Sequence, residues 1–375
     1  MKEKKEPMTQ PVYERLGEAL RMRGGAVPVL HCREFYALME ELFTPDEAEL
    51  AVKMPMGLVS AAELAKQTGG DPKVTEELLE SMANKGLLVS YEREEVLVYE
   101  LLKLLPGIFE AQFSTGEVSE RSKRIAHLFL GYMTVMGQPR EEAGPGTAAG
   151  FGPTFPFSRV ITVEKEIPAG VEIQPYDRIS QYIADAPYIA LGTCFCRHFG
   201  ELLGNPCDKP KQVCMGLSPA VKQWVARGFG KLISKEEALD ILKRSEEEGL
   251  VHCTSNIGEE LEFICNCCTC HCGILGSLRD AGSPSMAATS SFIASLEEEV
   301  CSGCGDCVEI CPMDALTMGD DVVALDSNRC IGCGLCISRC PTGALRLEPR
   351  EGAPVPPRDQ DALNAAMMSS TQPKT

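Results

Sequence analysis

Residues 301 to 341 carry one cysteine run twice: Cys301-x2-Cys304-x2-Cys307-x3-Cys311-Pro312, then Cys330-x2-Cys333-x2-Cys336-x3-Cys340-Pro341. Eight soft thiolates in register at this spacing can wrap a cube of iron and sulfide. Both runs continue into Ala-Leu three residues on, as Cys-Pro-Met-Asp-Ala-Leu and Cys-Pro-Thr-Gly-Ala-Leu, so the whole is an internal repeat of roughly thirty residues. Glycines at 303, 305, 332 and 334 suit a backbone that must wrap closely and aim N–H groups at sulfide. Zinc is the weaker reading: it takes four thiolates in two Cys-x2-Cys pairs, and a run of three plus Cys-Pro would leave a fourth unused.

The rest of the composition narrows the setting. At 375 residues the chain exceeds one comfortable core, which predicts two or three domains. A formal charge of -18 argues against non-specific binding to nucleic acid or anionic membrane. No uncharged apolar run approaches the ~20 residues of a membrane span. The candidate Ile125 to Gly137 is too short and is interrupted by His127. The opening Met-Lys-Glu-Lys-Lys-Glu-Pro has no apolar stretch behind it, so no signal peptide is expected. Nineteen cysteines in such a chain point to metal in a reducing cytoplasm rather than to disulfides, in an organism that lives with little oxygen.

Along the chain, 1–35 reads as an N-terminal extension and 36–137 as a helical domain. Pro45 opens a helix, Ser60-Ala-Ala-Glu63 is a capping box, and Asp71-Pro72 starts a helix that presents Val74, Leu78 and Met82 and stops at Gly86. Leu87 to Tyr91 and Val96 to Tyr99 flank Glu92-Arg-Glu-Glu95 like two strands round a polar turn. Three helices and a hairpin resemble a winged helix. Residues 138–158 are rich in Gly and Pro and read as a linker. A cysteine-rich α/β middle domain follows over 159–280. Strands are expected at Arg159–Glu164 and Tyr188–Gly192, and helices at Tyr176–Ala184 and from Ser234 to Gly249. Residues 281–295 form a second linker, 296–348 the repeat domain, and 349–375 a Pro-rich, polar tail expected to be disordered. The fold class predicted is multidomain α+β.

The paired runs resemble the bacterial ferredoxins that carry two 4Fe-4S clusters. In that family the first three cysteines of a run hold one cluster and the fourth ligates the other. The resemblance therefore implies one cluster on Cys301, Cys304, Cys307 and Cys340, and a second on Cys330, Cys333, Cys336 and Cys311.

The middle domain has its own constellation: Cys194, Cys196, Cys207 and Cys214, then Cys265, Cys267, Cys268, Cys270 and Cys272. Five cysteines within Cys265-Asn-Cys-Cys-Thr-Cys-His-Cys272 are too dense for core packing and read as metal ligands. The segment from Cys194 to Cys214 alone supplies four thiolates, enough for a third cluster; the dense segment then holds a further cluster or completes that one. Soft sulfur ligation suits iron–sulfur or zinc, with iron–sulfur favoured. Cys253 and Cys32 are isolated and read as core thiols. His198 and His271 lie inside the patches and are placed beside ligands rather than on metal. Arg197 follows a ligand pair, where it either offsets cluster charge or forms a plain salt bridge. The Cys-x-Cys-Arg and Cys-Asn-Cys-Cys segments, Leu-Pro-Gly-Ile-Phe-Glu at 105–110 and the terminal repeat together resemble uncharacterised ferredoxin-like proteins of anaerobic bacteria.

Charge weighs against a DNA-binding reading of the N-terminal module. From Tyr36 to Glu110 six Lys/Arg stand against fifteen Asp/Glu, a net of -9, and such a surface repels phosphate. A protein-docking role is preferred. Gly144-Pro-Gly-Thr-Ala-Ala149 lacks a preceding strand and puts proline in the turn, so it is no dinucleotide site. Gly228-Phe-Gly-Lys231 lacks the rest of a phosphate loop, and no small-molecule substrate is evident. The expectation is an electron carrier or oxidoreductase subunit with redox partner proteins. The alternatives are a redox-sensing regulator, or an oxidoreductase whose active cluster lies in the middle domain.

Overall fold

The computed structural model describes residues 10–25, 29–137, 155–171, 173–259, 261–281 and 287–370. Most of the predicted 138–158 linker, and residues 282–286 of the second linker, lie outside the described residues. The chain divides into two compact units. One is Met1–Gly152 with His198–Pro206 and Lys222–Gly230; the other is Pro153–Arg197, Cys207–Val221 and Lys231–Thr375. Two segments of the predicted middle domain thus pack with the N-terminal part.

In the first unit the local signals act where they stand. Thr44 and Glu47 form a capping box on helix Pro45–Lys53, Ser60 and Glu63 another on Ala61–Thr68, and Asp71 accepts from the first-turn amides of Pro72–Asn84. Strands Leu88–Arg93 and Val96–Leu101 form an antiparallel hairpin, and Val59–Ser60 joins its second strand. The turn is Glu94-Glu95, both with positive φ, a conformation that asparagine and glycine adopt at lower cost. Within the predicted N-terminal extension, residues 11–22 belong to this core. Helix Pro11–Met22 buries Val12, Tyr13, Leu16 and Leu20, and Tyr13 donates to the Phe43 carbonyl at 2.9 Å. From the later segments, Phe199 stacks edge-on with Phe109 and Phe113, and Arg227 forks onto Glu80.

The second unit is built on a seven-stranded sheet in the spatial order Ala287–Ala288, Ser158–Ile161, Val251–Ser255, Phe263–Cys267, Gln212–Gly216, Ile189–Thr193, Lys231–Ile233. All neighbours are antiparallel except the first pair. Helix Lys235–Glu247, capped by Ser234, packs on the strands Gln212–Gly216 and Val251–Ser255. Buried Arg159 and Asp177 pair beside this sheet, with the guanidinium 4.9 Å over the Tyr176 ring.

The terminal repeat is a small α+β module in the same unit. Strand Phe292–Leu296 pairs antiparallel with Leu345–Pro349, and Leu316–Met318 pairs with Val323–Leu325. Two short helices, Asp306–Ile310 and Leu335–Arg339, each follow a left-handed glycine. Residues 287–295, expected as linker, are largely strand because Phe292 and Ala294 bury on this module. The tail also departs from the disorder its composition predicts. Its backbone bonds the loop at Gly258 and Glu259, and helix Gln360–Ser370 buries Leu363 and Met367, four residues apart on one face.

Candidate metal centres

None of the nineteen cysteines is in a disulfide. In the terminal module the repeat offset fixes equivalent places: Gly305 and Gly334 share φ 85, and Cys307 and Cys336 sit in the first turns of the two short helices. At Gly332 and Gly303 a side chain would overlap the carbonyl oxygens of Phe292 and Asp321, so the wrap closes only with glycine. One cavity, about 300 Å3 including its mouth, is lined by Cys301, Cys304, Cys307 and Cys340 among apolar residues. A second, about 370 Å3, is lined by Cys311, Cys330, Cys333 and Cys336. Cys307 and Cys336 share one apolar cluster with Ala294, Leu316, Val323 and Leu345.

The thiols themselves suit a cationic guest. Burial pushes the Cys333 thiol up to about 12, and the neighbouring Cys330 and Cys311 push the same way. Burial raises Cys336 and Cys307 as well. Cys340 shifts the other way: burial opposes ionisation, but the amides of Leu345, Thr342 and Ala344 and the Thr342 hydroxyl hold its thiol below the usual range. Thiols that resist ionisation in one another's company become thiolates when a metal supplies the opposing charge.

In the middle region strand register decides which thiols meet. Cys253 lies opposite Cys265, and Val251 opposite Cys267, so Cys253, Cys265 and Cys267 share one face. Met215 pairs with Ile264, which sets Cys214 level with Cys265 on the same face. Cys214 touches both Cys194 and Cys265; Cys267 touches Cys253, Cys265 and Cys272; and Cys272 touches Cys196. Cys253, read as an isolated core thiol, is thus in the middle of a buried thiol group. That group shares its apolar core with Cys333, Cys311 and Cys330 of the second cavity. Val163 donates to the Cys333 carbonyl at 2.9 Å and Thr162 to that of Gly332 at 2.6 Å.

Cys207 is not with Cys194, Cys196 and Cys214, so that segment does not supply one four-thiol set. Cys207 lies on the loop before strand Gln212–Gly216, 3.5 Å from Cys270 and 4.0 Å from Cys268. His198 is buried with its ring nitrogens on Glu201 and the Glu117 carbonyl, both at 3.0 Å. Cys32 precedes helix Arg33–Leu42 as its N-cap residue, beside Glu34.

Arg197 is the residue whose role the sequence left open. It is 1% exposed and bonds the Asn266 carbonyl at 3.1 and 3.2 Å, while its Nε has no partner among the described residues. Its charged neighbours are Cys194, Cys268 and Cys214. Burial alone would lower its pKa, but these sulfurs raise it. A guanidinium buried without a carboxylate is costly unless anions face it. Metal-bound thiolates would be those anions.

The family description "4Fe-4S dicluster domain" matches residues 300–344. The C-terminal part is a ferredoxin-type iron–sulfur domain. The match takes in 45 of the 375 residues, and a comparison with curated proteins finds no match to the chain. With the cysteine-rich middle region, the ferredoxin-type domain supports iron–sulfur clusters as cofactors and redox proteins as the class of partner. Among the described residues no helix is long and apolar enough to cross a membrane.

Proposed function

We propose that this chain is a multicluster electron-transfer protein that passes single electrons between a low-potential donor and a partner oxidoreductase. The observation that carries the reading is the lining of the two cavities: each gathers three thiols of one run and the last thiol of the other. On this reading Cys301, Cys304, Cys307 and Cys340 hold one 4Fe-4S cluster, and Cys330, Cys333, Cys336 and Cys311 hold the second. A third iron–sulfur site draws on Cys194, Cys196, Cys214, Cys265, Cys267 and Cys272, with Cys253 among them. Such clusters, when bound, take up and release one electron at a time.

The chain's residues do the rest. Ile331, Leu335, Val163 and Leu275 keep water from the thiols of the second cavity and the middle group. Arg197 supplies fixed positive charge beside Cys194 and Cys214. A reducing cytoplasm is the compartment that leaves this many thiols available to metal.

The module at 36–137 fits a winged helix by its order of helix, strand, two helices and hairpin, and we read it as a protein-docking element. Of the two lysines on or next to helix Pro72–Asn84, Lys85 is spent on buried Glu47 at 2.7 and 2.8 Å, and Lys73 faces Glu77. Little positive charge is left there for phosphate. Anaerobic iron and sulfide analysis with low-temperature EPR tests the central reading. About twelve irons per chain support three cubane sites; about eight remove the third, and fewer remove the paired sites.

A further inference from the structure

We propose that Cys207, Cys268, Cys270 and His271 form a separate site for a single zinc ion, distinct from every thiol assigned above to an iron–sulfur cluster. One ligand atom from each lies within 4.8 Å of all the others. Cys207 Sγ is 3.5 Å from Cys270 Sγ and 4.0 Å from Cys268 Sγ, and His271 Nδ1 is 3.2 Å from Cys270 Sγ.

These spacings, with one imidazole in the set, suit a single ion. Four ligands on one tetrahedral zinc, with bonds of about 2.3 Å to sulfur and 2.0–2.1 Å to nitrogen, stand about 3.5–3.8 Å apart. The observed set fits one ion. Three thiolates and an imidazole also complete a closed zinc sphere with no open position, the pattern of a structural site.

The local fold explains how the set separates from its neighbours. Strand Phe263–Cys267 ends at Cys267, which faces the inner thiols, and Cys272 returns to them at the start of helix Gly273–Ala281. The turn between brings Cys268, Cys270 and His271 to the Cys207 loop, with Cys268 also beside Arg197. Cys270 is exposed, Cys207 and His271 are half-buried, and only Cys268 is buried. A zinc ion here ties the Cys207 loop to this turn, 61 to 64 residues away in sequence. Its closed sphere takes no part in electron transfer.

The test uses the full chain, purified anaerobically with its iron–sulfur complement and supplied with zinc. Metal analysis is expected to find one zinc per chain, and zinc-edge X-ray absorption to find three sulfur scatterers and one nitrogen. Cys270→Ser and His271→Ala alter exposed or half-exposed side chains, so folding is expected to survive; Cys270→Ser should lose most of the zinc while iron, sulfide and the reduced EPR spectrum stay unchanged. His271→Ala should keep three sulfurs and lose the imidazole signature. The proposal falls if the wild-type chain takes up no zinc, if four sulfurs surround it, or if Cys270→Ser lowers iron and sulfide together. That last result would assign these thiols to a cluster without disturbing the paired-site reading.

Discussion

Replacing Arg197 by methionine removes one buried positive charge and little volume. The guanidinium lies beside Cys194, Cys214 and Cys268, and among the described residues no ion pair with a carboxylate reaches it. A unit charge about 6 Å from a second, at an effective dielectric constant of about 20, is worth about 3 kcal/mol. For a one-electron couple that corresponds to about 120 mV, and relaxation of neighbouring dipoles brings the expected shift to about 60–120 mV. The sign follows from charge: an added electron is less welcome once the cation is gone, so the potential of the middle-region cluster falls. Arg197→Lys keeps the charge but loses the fork onto the Asn266 carbonyl, and should shift by less than half as much. EPR-monitored redox titration of the full chain, held anaerobic, separates this cluster from the other two. A middle-region signal that persists in Arg197→Met with an unmoved potential would refute the argument. So would a shift confined to the ferredoxin-type domain.

The crossed lining of the two cavities predicts that Cys340→Ser and Cys311→Ser damage different clusters, each removing about four irons per chain and leaving the EPR spectrum of an isolated remaining cluster in this domain; identical spectra from both variants would contradict it. Glu94→Asn with Glu95→Gly relieves two positive-φ positions in the hairpin turn and should stabilise the first unit by about 1–2 kcal/mol, read as a higher thermal midpoint. Burial pushes the Glu110 carboxyl up to about 7, although its Oε2 accepts from the Gly107 amide at 2.5 Å. A raised folded-state pKa means that this group's stabilising share is complete below its unfolded value and is lost as pH rises through about 7. Glu110→Gln should therefore raise the melting temperature at pH 8 and leave it nearly unchanged at pH 4, with a gain of about 1–2 kcal/mol for a partly exposed side chain. An equal gain at both pH values would show that ionisation is not the cause.

The terminal domain was legible because its chemistry is local: three thiols of each run lie within seven residues, and the repeat itself supplies the fourth. The middle region was not, because strand register rather than spacing decides which thiols meet. Cys253 looked solitary until the pairing of Val251–Ser255 with Phe263–Cys267 put it opposite Cys265. Cys207 looked like the partner of Cys214, yet only seven residues of loop and strand send the two to different thiol groups. His198 lay in a cysteine patch but faces Glu117 and Glu201, since helix Phe195–Leu202 turns it away from Cys196. The helix at Pro11–Met22 left a readable signal in Val12, Leu16 and Leu20. The tail helix left a fainter one, Leu363 and Met367, inside a segment whose prolines dominate its composition.

The repeat is symmetric in sequence and asymmetric in burial. Residues 331–336 are buried throughout, whereas Ser302, Cys304 and Asp306 in the first run are exposed. The covering comes from outside the repeat, through Thr162 and Val163 on the middle region and Ser290 and Phe292 before the first run. Two cavities with equivalent thiols therefore have different surroundings: one shares an apolar core with the middle thiols, and the other is lined by the exposed Cys304. Cys304 is exposed beside the first cavity, while Cys311 and Cys330 are half-buried beside the second. Asp306 and Glu309 are exposed on the short helix that carries Cys307, and exposed carboxylates attract a basic face. Equivalent ligand sets thus have unequal neighbours: one borders the middle thiols, and the other carries the exposed Cys304.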